Sequence, residues 1–158
     1  MSNNVLVRQA RIADIDAMIV LLATLFSLEA DFAADATRQR RGLKLLVEDG
    51  ASGCLFVAEC QGRVIGMCSA QLLISTAEGG RKALVEDVVV DAGHRGGGVG
   101  RKLLGAVEEW ARCNEVKRLD LLADRNNQGG LAFYDAMQWN RTELIALQKK
   151  IVNQSVEI

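Results

Sequence analysis

The stretch DAGHRGGGVGRKLL at 91–104 constrains the fold most, because it places four glycines within five positions immediately before an apolar helical pattern. Glycine serves where φ must be positive or where another group must approach the backbone closely. The strand-like stretch KALVEDVVVD precedes it, and the helical pattern begins near Val99. The sequence therefore predicts a strand–loop–helix unit, in which the loop is either a simple turn or a cradle for a ligand.

Hydrophobic periodicity predicts the order β-α-α-β-β-β-α-β-α-β along the chain. The tight turn Gln61-Gly62 makes the second and third strands a hairpin, and the strand that follows extends it into an antiparallel meander. The helix after the glycines then leads by a right-handed crossover to a parallel strand. The predicted helices begin at Ala13 and cover 35–48, 99–113 and 127–139, and the predicted strands are 5–10, 54–60, 63–75, 82–91, 117–124 and 141–151.

The composition is that of an ordinary globular protein and favours no special partner. The chain has 158 residues, a net charge of −1, 49% hydrophobic and 25% charged residues, which fits one domain. Without a basic patch or an amphipathic basic stretch, we expect neither nucleic acid nor a membrane as a partner. The stretch MSNNVLVRQA has no signal-peptide pattern, so we expect a cytoplasmic protein.

The cysteines and the single histidine indicate neither a metal site nor a nucleophilic triad. Cys54, Cys60, Cys68 and Cys113 have no metal-ligand spacing, and three of them lie in apolar strand-like sequence. Buried free cysteine behaves as a small hydrophobe, so we expect reduced thiols and no metal. His94 lies within the glycine loop, without the sequence context of a nucleophile.

The glycine loop matches no nucleotide-binding template. The phosphate-binding pattern G-x-x-x-x-G-K-[ST] does not match, because no glycine in the loop is followed by Lys and then Ser or Thr. The pattern G-x-G-x-x-G does not match either, because its last glycine would fall at Arg101 if it began at Gly96 and at Leu103 if it began at Gly98. What fits is a nest of successive backbone N–H groups from Arg95 to Gly100 at a helix N-terminus, with Arg101 adding charge. Such a nest suits a pyrophosphate, although three consecutive glycines are equally able to end a strand as a plain turn.

The surrounding residues carry a family resemblance. R-x-x-G-x-G, placed after EDVVVD and before an apolar helix, resembles motif A of the GNAT superfamily of acetyl-CoA-dependent N-acetyltransferases. Asn127, Phe133 and Tyr134 stand where the family often has N-x-x-A-x-x-F-Y. The order of elements matches as well. The resemblance covers residues 5–151 and implies one N-acetyltransferase domain there, followed by a tail at 152–158.

The resemblance implies an α+β fold in α/β/α layers, with a mixed, mostly antiparallel sheet of about six or seven strands flanked by four helices. Three positions depart from the family pattern. Ala92 replaces a frequent proline, Gly130 replaces the small alanine, and Gln138-Trp139 replaces Gly-Phe. None of these departures removes a side chain that contacts the cofactor.

The resemblance also implies where acetyl-CoA, the cosubstrate, would lie. The pyrophosphate would bind the glycine loop, and the pantetheine arm would pair with the end of the strand before it, as an added strand does. That strand commonly splays from its neighbour at a bulge in this family. The implied cofactor-binding residues are Val88, Val89, Val90, Arg95, Gly96, Gly97, Gly98, Val99, Gly100, Arg101, Asn127, Gly130 and Tyr134.

The implied reaction is direct attack of a neutral amine on the thioester, which requires a base because alkylamines are protonated at neutral pH. Glu86 is the first candidate for the base, since the two-residue period of a strand puts it on the same face as Val88 and Val90. Asp87 is the second candidate. The alternative is that both acids are structural. Tyr134 is the candidate general acid, and the alternative for it is a core tyrosine.

The acceptor side is the least constrained part of the site. In this family the first two helices and their connection wall the substrate site, and here that segment carries Glu29 and Asp31. These carboxylates would bind a cationic amine, or they are ordinary helix-end acids. The predicted function is N-acetylation of a small-molecule primary amine. A protein acetyltransferase and a non-catalytic acyl-CoA-binding module are the alternatives, and homodimers are common in the family.

Overall fold

The computed structural model describes residues 4–29 and 31–152 of the chain, and a five-stranded sheet lies at its centre. The strand order is β1-β2-β3-β4-β5, and helices flank the sheet. The strands are β1 (Val5–Gln9), β2 (Gly53–Cys60), β3 (Arg63–Ser75), β4 (Gly80–Val90) and β5 (Val116–Leu121), and the helices are α1 (Ile15–Leu28), α2 (Ala36–Glu48), α3 (Val99–Cys113) and α4 (Gln128–Ala136).

The first four strands form the predicted antiparallel arrangement. Gln61 and Gly62 both have positive φ, 50° and 75°, which is the requirement of a type I′ turn whose twist matches the strands. The register closes on this turn with Cys60 opposite Arg63. The hairpin prediction is therefore confirmed.

The last pair of strands opens a slot at one edge of the sheet. β5 runs parallel to β4 but pairs with it only from Arg81 to Val85, whereas β4 continues to Val90. On its other side β4 stays paired with β3, with a register shift between Met67 and Ser69. The end of β4 therefore keeps one free edge within the described residues, because β5 ends at Leu121, the partner of Val85.

The core has two layers, one on each face of the sheet. Alternate residues of each strand face opposite sides of the sheet. Those on one side, such as Cys68 and Val85, pack against α3, and those on the other, such as Leu55 and Met67, pack against α1 and α2. This alternation follows from the two-residue period of a strand. It confirms the α/β/α layers.

The number of strands and the final strand were predicted wrongly. The sheet has five strands instead of six or seven, and residues 141–151 form no strand. A strand is stabilised by its ladder partner, and this segment has none among the described residues. Its apolar side chains are exposed as a result. Residues 153–158 of the predicted tail lie outside the described residues.

The cysteines are free, as expected. Cys54, Cys60 and Cys68 are buried in the core and Cys113 is exposed. Burial raises the pKa of the Cys54 thiol to about 12, so this thiol is protonated at neutral pH. None of the described helices is long and apolar enough to cross a membrane.

Candidate active site

A cleft of about 680 Å³ opens where β4 and β5 separate. Its walls come from the end of β4, the first turn of α3, the start of α4 and the end of α1. Asp31 and Gly97, although predicted, do not line it. The predicted residues that do are Glu29, Glu86, Asp87, Val88, Val89, Val90, Arg95, Gly96, Gly98, Val99, Gly100, Arg101, Asn127, Gly130 and Tyr134.

The glycine loop forms one end of the cleft. Gly96 and Gly98 have φ of 75° and 81°, which lies in the left-handed region that side chains other than glycine rarely adopt. Gly98 is the N-cap of α3. A Cβ built on either glycine would meet no described atom within 4 Å. Open space therefore faces the N–H groups of the first turn of α3, which have no partner within the helix.

The turn before these glycines is held in place without a proline. Residues Ala92–His94 form one turn of 3-10 helix, in which the N–H of His94 donates to the carbonyl of Asp91 over 2.9 Å. The His94 ring Nδ1 also lies 2.8 Å from an Asp91 carboxylate oxygen. This contact lowers the pKa of Asp91. The replacement of the family's proline by Ala92 is thus balanced by a local hydrogen-bonded pair.

Arg95 and Arg101 supply positive charge at this end of the cleft. The Nε of Arg95 donates to the carbonyl of Val90 over 3.0 Å, so the side chain lies back over the end of β4. Arg101 belongs to the first turn of α3 and is exposed. Together with the positive end of the α3 dipole, these groups favour an anion.

Gly100 has a packing role that the sequence did not reveal. A Cβ at this position would lie 3.0 Å from the Phe133 ring, so α4 approaches α3 through the space that the glycine leaves. The neighbouring Tyr134 ring lies 5.3 Å from that of Phe133, between centroids. The same contact that packs α4 on α3 therefore sets the position of Tyr134 relative to the glycine loop.

Asn127 is the N-cap of α4. Its Oδ1 accepts from the N–H of Gly130 over 3.0 Å. A Cβ on Gly130 would approach the Asn127 amide nitrogen to 2.8 Å, so the glycine leaves room for the cap. Both residues face the cleft, and their role toward a cofactor stays a prediction.

The middle of the cleft is formed by a bulge in β4. Asp87 and Val88 lie opposite the single residue Cys68, because Ser69 pairs with Glu86 and Met67 with Val89. Asp87 has φ of 53°, a conformation that aspartate adopts more readily than most residues. The Ser69 hydroxyl donates to the carbonyl of Glu86 over 3.3 Å and holds the bulge from the β3 side.

The two carboxylates at the bulge have different environments. Glu86 is exposed, whereas Asp87 is partly buried. Burial raises the pKa of Asp87 to about 6, and the nearby charges of Glu86 and then Glu29 act in the same direction. A carboxylate with this pKa is ionised at neutral pH and is still able to accept a proton.

Acidic groups continue from the bulge toward the end of α1. Burial raises the pKa of Glu29, with further contributions from Asp124 and Asp31. Asp124 follows β5, lines the cleft and was not predicted. The apolar side chains of Leu25 and Leu28 complete this wall. This end of the cleft is therefore negative and partly apolar.

Tyr134 faces the same region from α4. Its ring packs between Phe133 and Trp139, the latter 6.1 Å away between centroids. Burial raises the pKa of the Tyr134 hydroxyl to about 12, with smaller contributions from Cys68 and Glu29. The hydroxyl is therefore protonated throughout the neutral range and is able to donate a hydrogen bond or a proton.

Sequence reasoning did not assign several residues that line the cleft. Most belong to α1, to the ends of β4 and β5 and to α4, and Phe133 was noted only as a motif position, without a place in the site. No group of three or more His, Cys, Asp or Glu side chains able to hold a metal ion occurs among the described residues. The missed residues are Leu25, Leu28, Val85, Leu121, Leu122, Ala123, Asp124, Gly129, Leu131, Ala132 and Phe133, besides His94.

Comparison with known proteins decides the family. The acetyltransferase (GNAT) family model matches residues 18–138. The chain belongs to this family. A search of curated protein sequences found no match.

Solved structures of this family share the fold of this GNAT chain. A possible acetyltransferase from Clostridium difficile 630 is 18% identical, with a TM-score of 0.81, over 94% of this chain and 99% of that one. Glucosamine-6-phosphate N-acetyltransferase from Arabidopsis thaliana is 19% identical, with a TM-score of 0.71, over 96% and 99%. A metagenomic soil aminoglycoside acetyltransferase is 18% identical, with a TM-score of 0.76, over 96% and 99%. At these identities the likeness shows the fold alone.

Proposed function

We propose that the protein transfers an acetyl group from acetyl-CoA to a primary amine of a small molecule, by direct attack within a ternary complex. One observation carries the proposal: a single cleft contains an anion cradle at one end and, beyond it, a partly buried carboxylate and a protonated tyrosine. A module that only binds acyl-CoA requires the cradle but neither of the other two groups. The proposed catalytic domain covers residues 5–151.

The cradle fits the phosphates of the cosubstrate. The open space in front of Gly96 and Gly98 lies at a helix N-terminus, with Arg95 and Arg101 beside it, and this combination binds phosphate groups in many proteins. The free edge of β4 from Glu86 to Val90 offers backbone groups to an extended amide chain. Acetyl-CoA, when bound, supplies the acetyl group as an activated thioester.

We assign the base to Asp87. The attacking amine must lose its proton, since its pKa lies near that of lysine. Asp87 is ionised above about pH 6 and faces the cleft at the bulge, so its carboxylate is placed to accept this proton directly or through a water molecule. Glu86, the first candidate from the sequence, lies next to it and is the alternative base.

We assign the general acid to Tyr134. The hydroxyl keeps its proton at neutral pH because its pKa is raised to about 12. It lies on the α4 side of the cleft, across from the β4 bulge. Its proton is therefore available to the thiolate that leaves during transfer.

The negative end of the cleft supports a cationic acceptor. Glu29 and Asp124 line this end, and the charge of Asp124 contributes to the raised pKa of Glu29. A protonated amine placed there would lower the electrostatic cost of these charges. Two of the similar structures are a glucosamine-6-phosphate N-acetyltransferase and an aminoglycoside acetyltransferase, and the acceptors in both names are small molecules that carry amino groups.

The test is a thiol-release assay with acetyl-CoA and a panel of monoamines, diamines, amino sugars, amino acids and lysine-containing peptides. We expect release that depends on a small amine, with the acetylated amine detected by mass spectrometry. Activity confined to peptides would favour a protein acetyltransferase. Tight binding of acetyl-CoA without release on any member of the panel would favour a binding module and contradict the proposal.

A further inference from the structure

The turn after α4 folds the chain back onto the end of the helix. The N–H of Gln138 donates to the carbonyl of Asp135 over 3.1 Å. The N–H of Trp139 donates to the carbonyl of Tyr134 over 3.0 Å. These two hydrogen bonds form a common helix-ending motif, which requires a left-handed residue directly after the helix. Gln138 is that residue, with φ of 65°, so the motif determines where Trp139 lies relative to Tyr134.

The side chain of Trp139 contacts the ring of Tyr134 as a result. The two ring centroids lie 6.1 Å apart and the ring planes meet at 67°, the edge-to-face arrangement that aromatic pairs favour. An apolar contact between these two positions often accompanies the motif. Phe133 makes a second ring contact with Tyr134, at 5.3 Å between centroids. The ring of Tyr134 is therefore held by two other rings.

The exposure of α4 gives these ring contacts more weight. All nine residues of the helix are partly or largely exposed, and a helix is normally held in place by burying an apolar face. Trp139 packs against the same core cluster as Tyr134 from beyond the end of the helix. It therefore has a larger share in fixing Tyr134 than it would have beside a fully buried helix.

We propose that Trp139 is a positioning residue for Tyr134, and that its ring keeps the phenol hydroxyl directed into the cleft, toward the sulfur of the departing thiolate. This role rests on the acid role proposed above for Tyr134. Proton transfer requires the hydroxyl within hydrogen-bond reach of the sulfur, and a small displacement of a reacting group lowers the rate. Trp139 is not among the described residues that line the cleft, so it acts through Tyr134.

The first test changes the turn and leaves the tryptophan in place. Gln138→Val should lower kcat by about 10-fold, because β-branched residues strongly disfavour left-handed backbone and the turn that holds Trp139 is lost. Gln138→Gly is the matched control and should keep the native kcat, since glycine adopts this conformation freely. Gln138 is exposed, so neither change disturbs the core. Equal kcat in the two variants would overturn the proposal.

The second test changes the ring, and both tests use the amine of the panel that the native protein acetylates fastest. Trp139→Leu should lower kcat by about 10-fold with the KM of acetyl-CoA unchanged, and Trp139→Phe should restore most of the loss. Trp110→Leu is the matched control, because it removes the other tryptophan of the chain, which is also partly buried against the same core cluster. A loss in Trp110→Leu as large as that in Trp139→Leu would overturn the proposal.

A double-mutant cycle decides whether Trp139 acts through Tyr134. In a Tyr134→Phe background the hydroxyl is absent, so adding Trp139→Leu should change kcat by less than about twofold. The same fold-loss in both backgrounds would overturn the positioning role and leave the acid role intact. A native kcat in Tyr134→Phe alone would overturn the acid role, and the role of Trp139 with it, as would the absence of thiol release with every amine of the panel.

Discussion

The two ends of the cleft are built from different parts of the chain and by different means. The cradle consists of backbone groups from one continuous stretch, Gly96 to Arg101, at the start of α3. The acidic end consists of side chains from three separate elements: Glu29 after α1, Asp87 in β4 and Asp124 after β5. The cradle carries positive potential and the acidic end negative potential.

In the proposed function this difference separates binding from chemistry. The backbone cradle would bind the phosphates of the cosubstrate, and the side chains at the other end would recognise and deprotonate the acceptor. Substitutions at the acidic end should then change turnover or the KM of the amine without affecting acetyl-CoA binding. Substitutions in the cradle should weaken acetyl-CoA binding without changing turnover or the KM of the amine.

The largest expected effect is that of Asp87→Asn. Loss of the proposed base should lower kcat by about 10³-fold, within the range for general base catalysis, with acetyl-CoA binding unchanged by calorimetry. The control is Glu86→Gln, on the exposed neighbour, which should retain most of the activity. A large loss in Glu86→Gln with little loss in Asp87→Asn would move the base to Glu86.

Tyr134→Phe should follow, with a fall in kcat of about 10²-fold. The effect is smaller because a thiolate is a good leaving group and requires less help from an acid. The Kd of acetyl-CoA should stay the same, since the ring still packs between Phe133 and Trp139. Unchanged kcat would remove Tyr134 from the reaction.

Gly98→Glu tests the cradle. The variant forces a side chain into left-handed backbone at φ of 81° and places a negative charge in the anion nest. The left-handed backbone costs about 1–2 kcal/mol of stability, and the added carboxylate repels the phosphates, so we expect acetyl-CoA binding to weaken by at least about 10-fold. Gly105→Glu, at an exposed site with open space on α3, is the matched control. Normal titration of Gly98→Glu would refute the cradle.

Glu29→Gln should have the smallest effect, a rise of about 10-fold in the KM of the cationic amine, typical of losing one partly buried ion pair. Asp31→Asn should leave this KM unchanged, because Asp31 is exposed and does not line the cleft. Equal behaviour of the two variants would mean that this acidic end does not recognise the acceptor.

The same contrast explains what the sequence made predictable. The loop from Arg95 to Arg101 was predicted to line the site, and all of it except Gly97 does so, because its conformation depends on local glycines and a helix start. Asp124 and Phe133 were not recognised as site residues. Asp124 follows β5 and lies outside every motif, and Phe133 was matched to a motif position, but its contact with Gly100 depends on the packing of α4 against α3. The pKa of Asp87 likewise depends on burial, which spacing along a strand does not reveal.

The strand predicted at 141–151 failed for a related reason. Its alternating apolar residues describe a segment able to pair, but pairing depends on a neighbour elsewhere in the structure. The hairpin at Gln61-Gly62 succeeded because its partner strands are adjacent in sequence and the turn itself sets their register. Local chemistry was thus sufficient for the hairpin and insufficient for the terminal segment.

The pH dependence of kcat/KM for the best amine tests the central claim most directly. Because the pKa of Asp87 is raised to about 6, the native enzyme should lose activity as the pH falls through 6 and the carboxylate becomes protonated. The rise caused by deprotonation of the free amine should remain at alkaline pH in every variant. Asp87→Asn should lack the limb near pH 6, and a limb retained there in this variant would contradict the account.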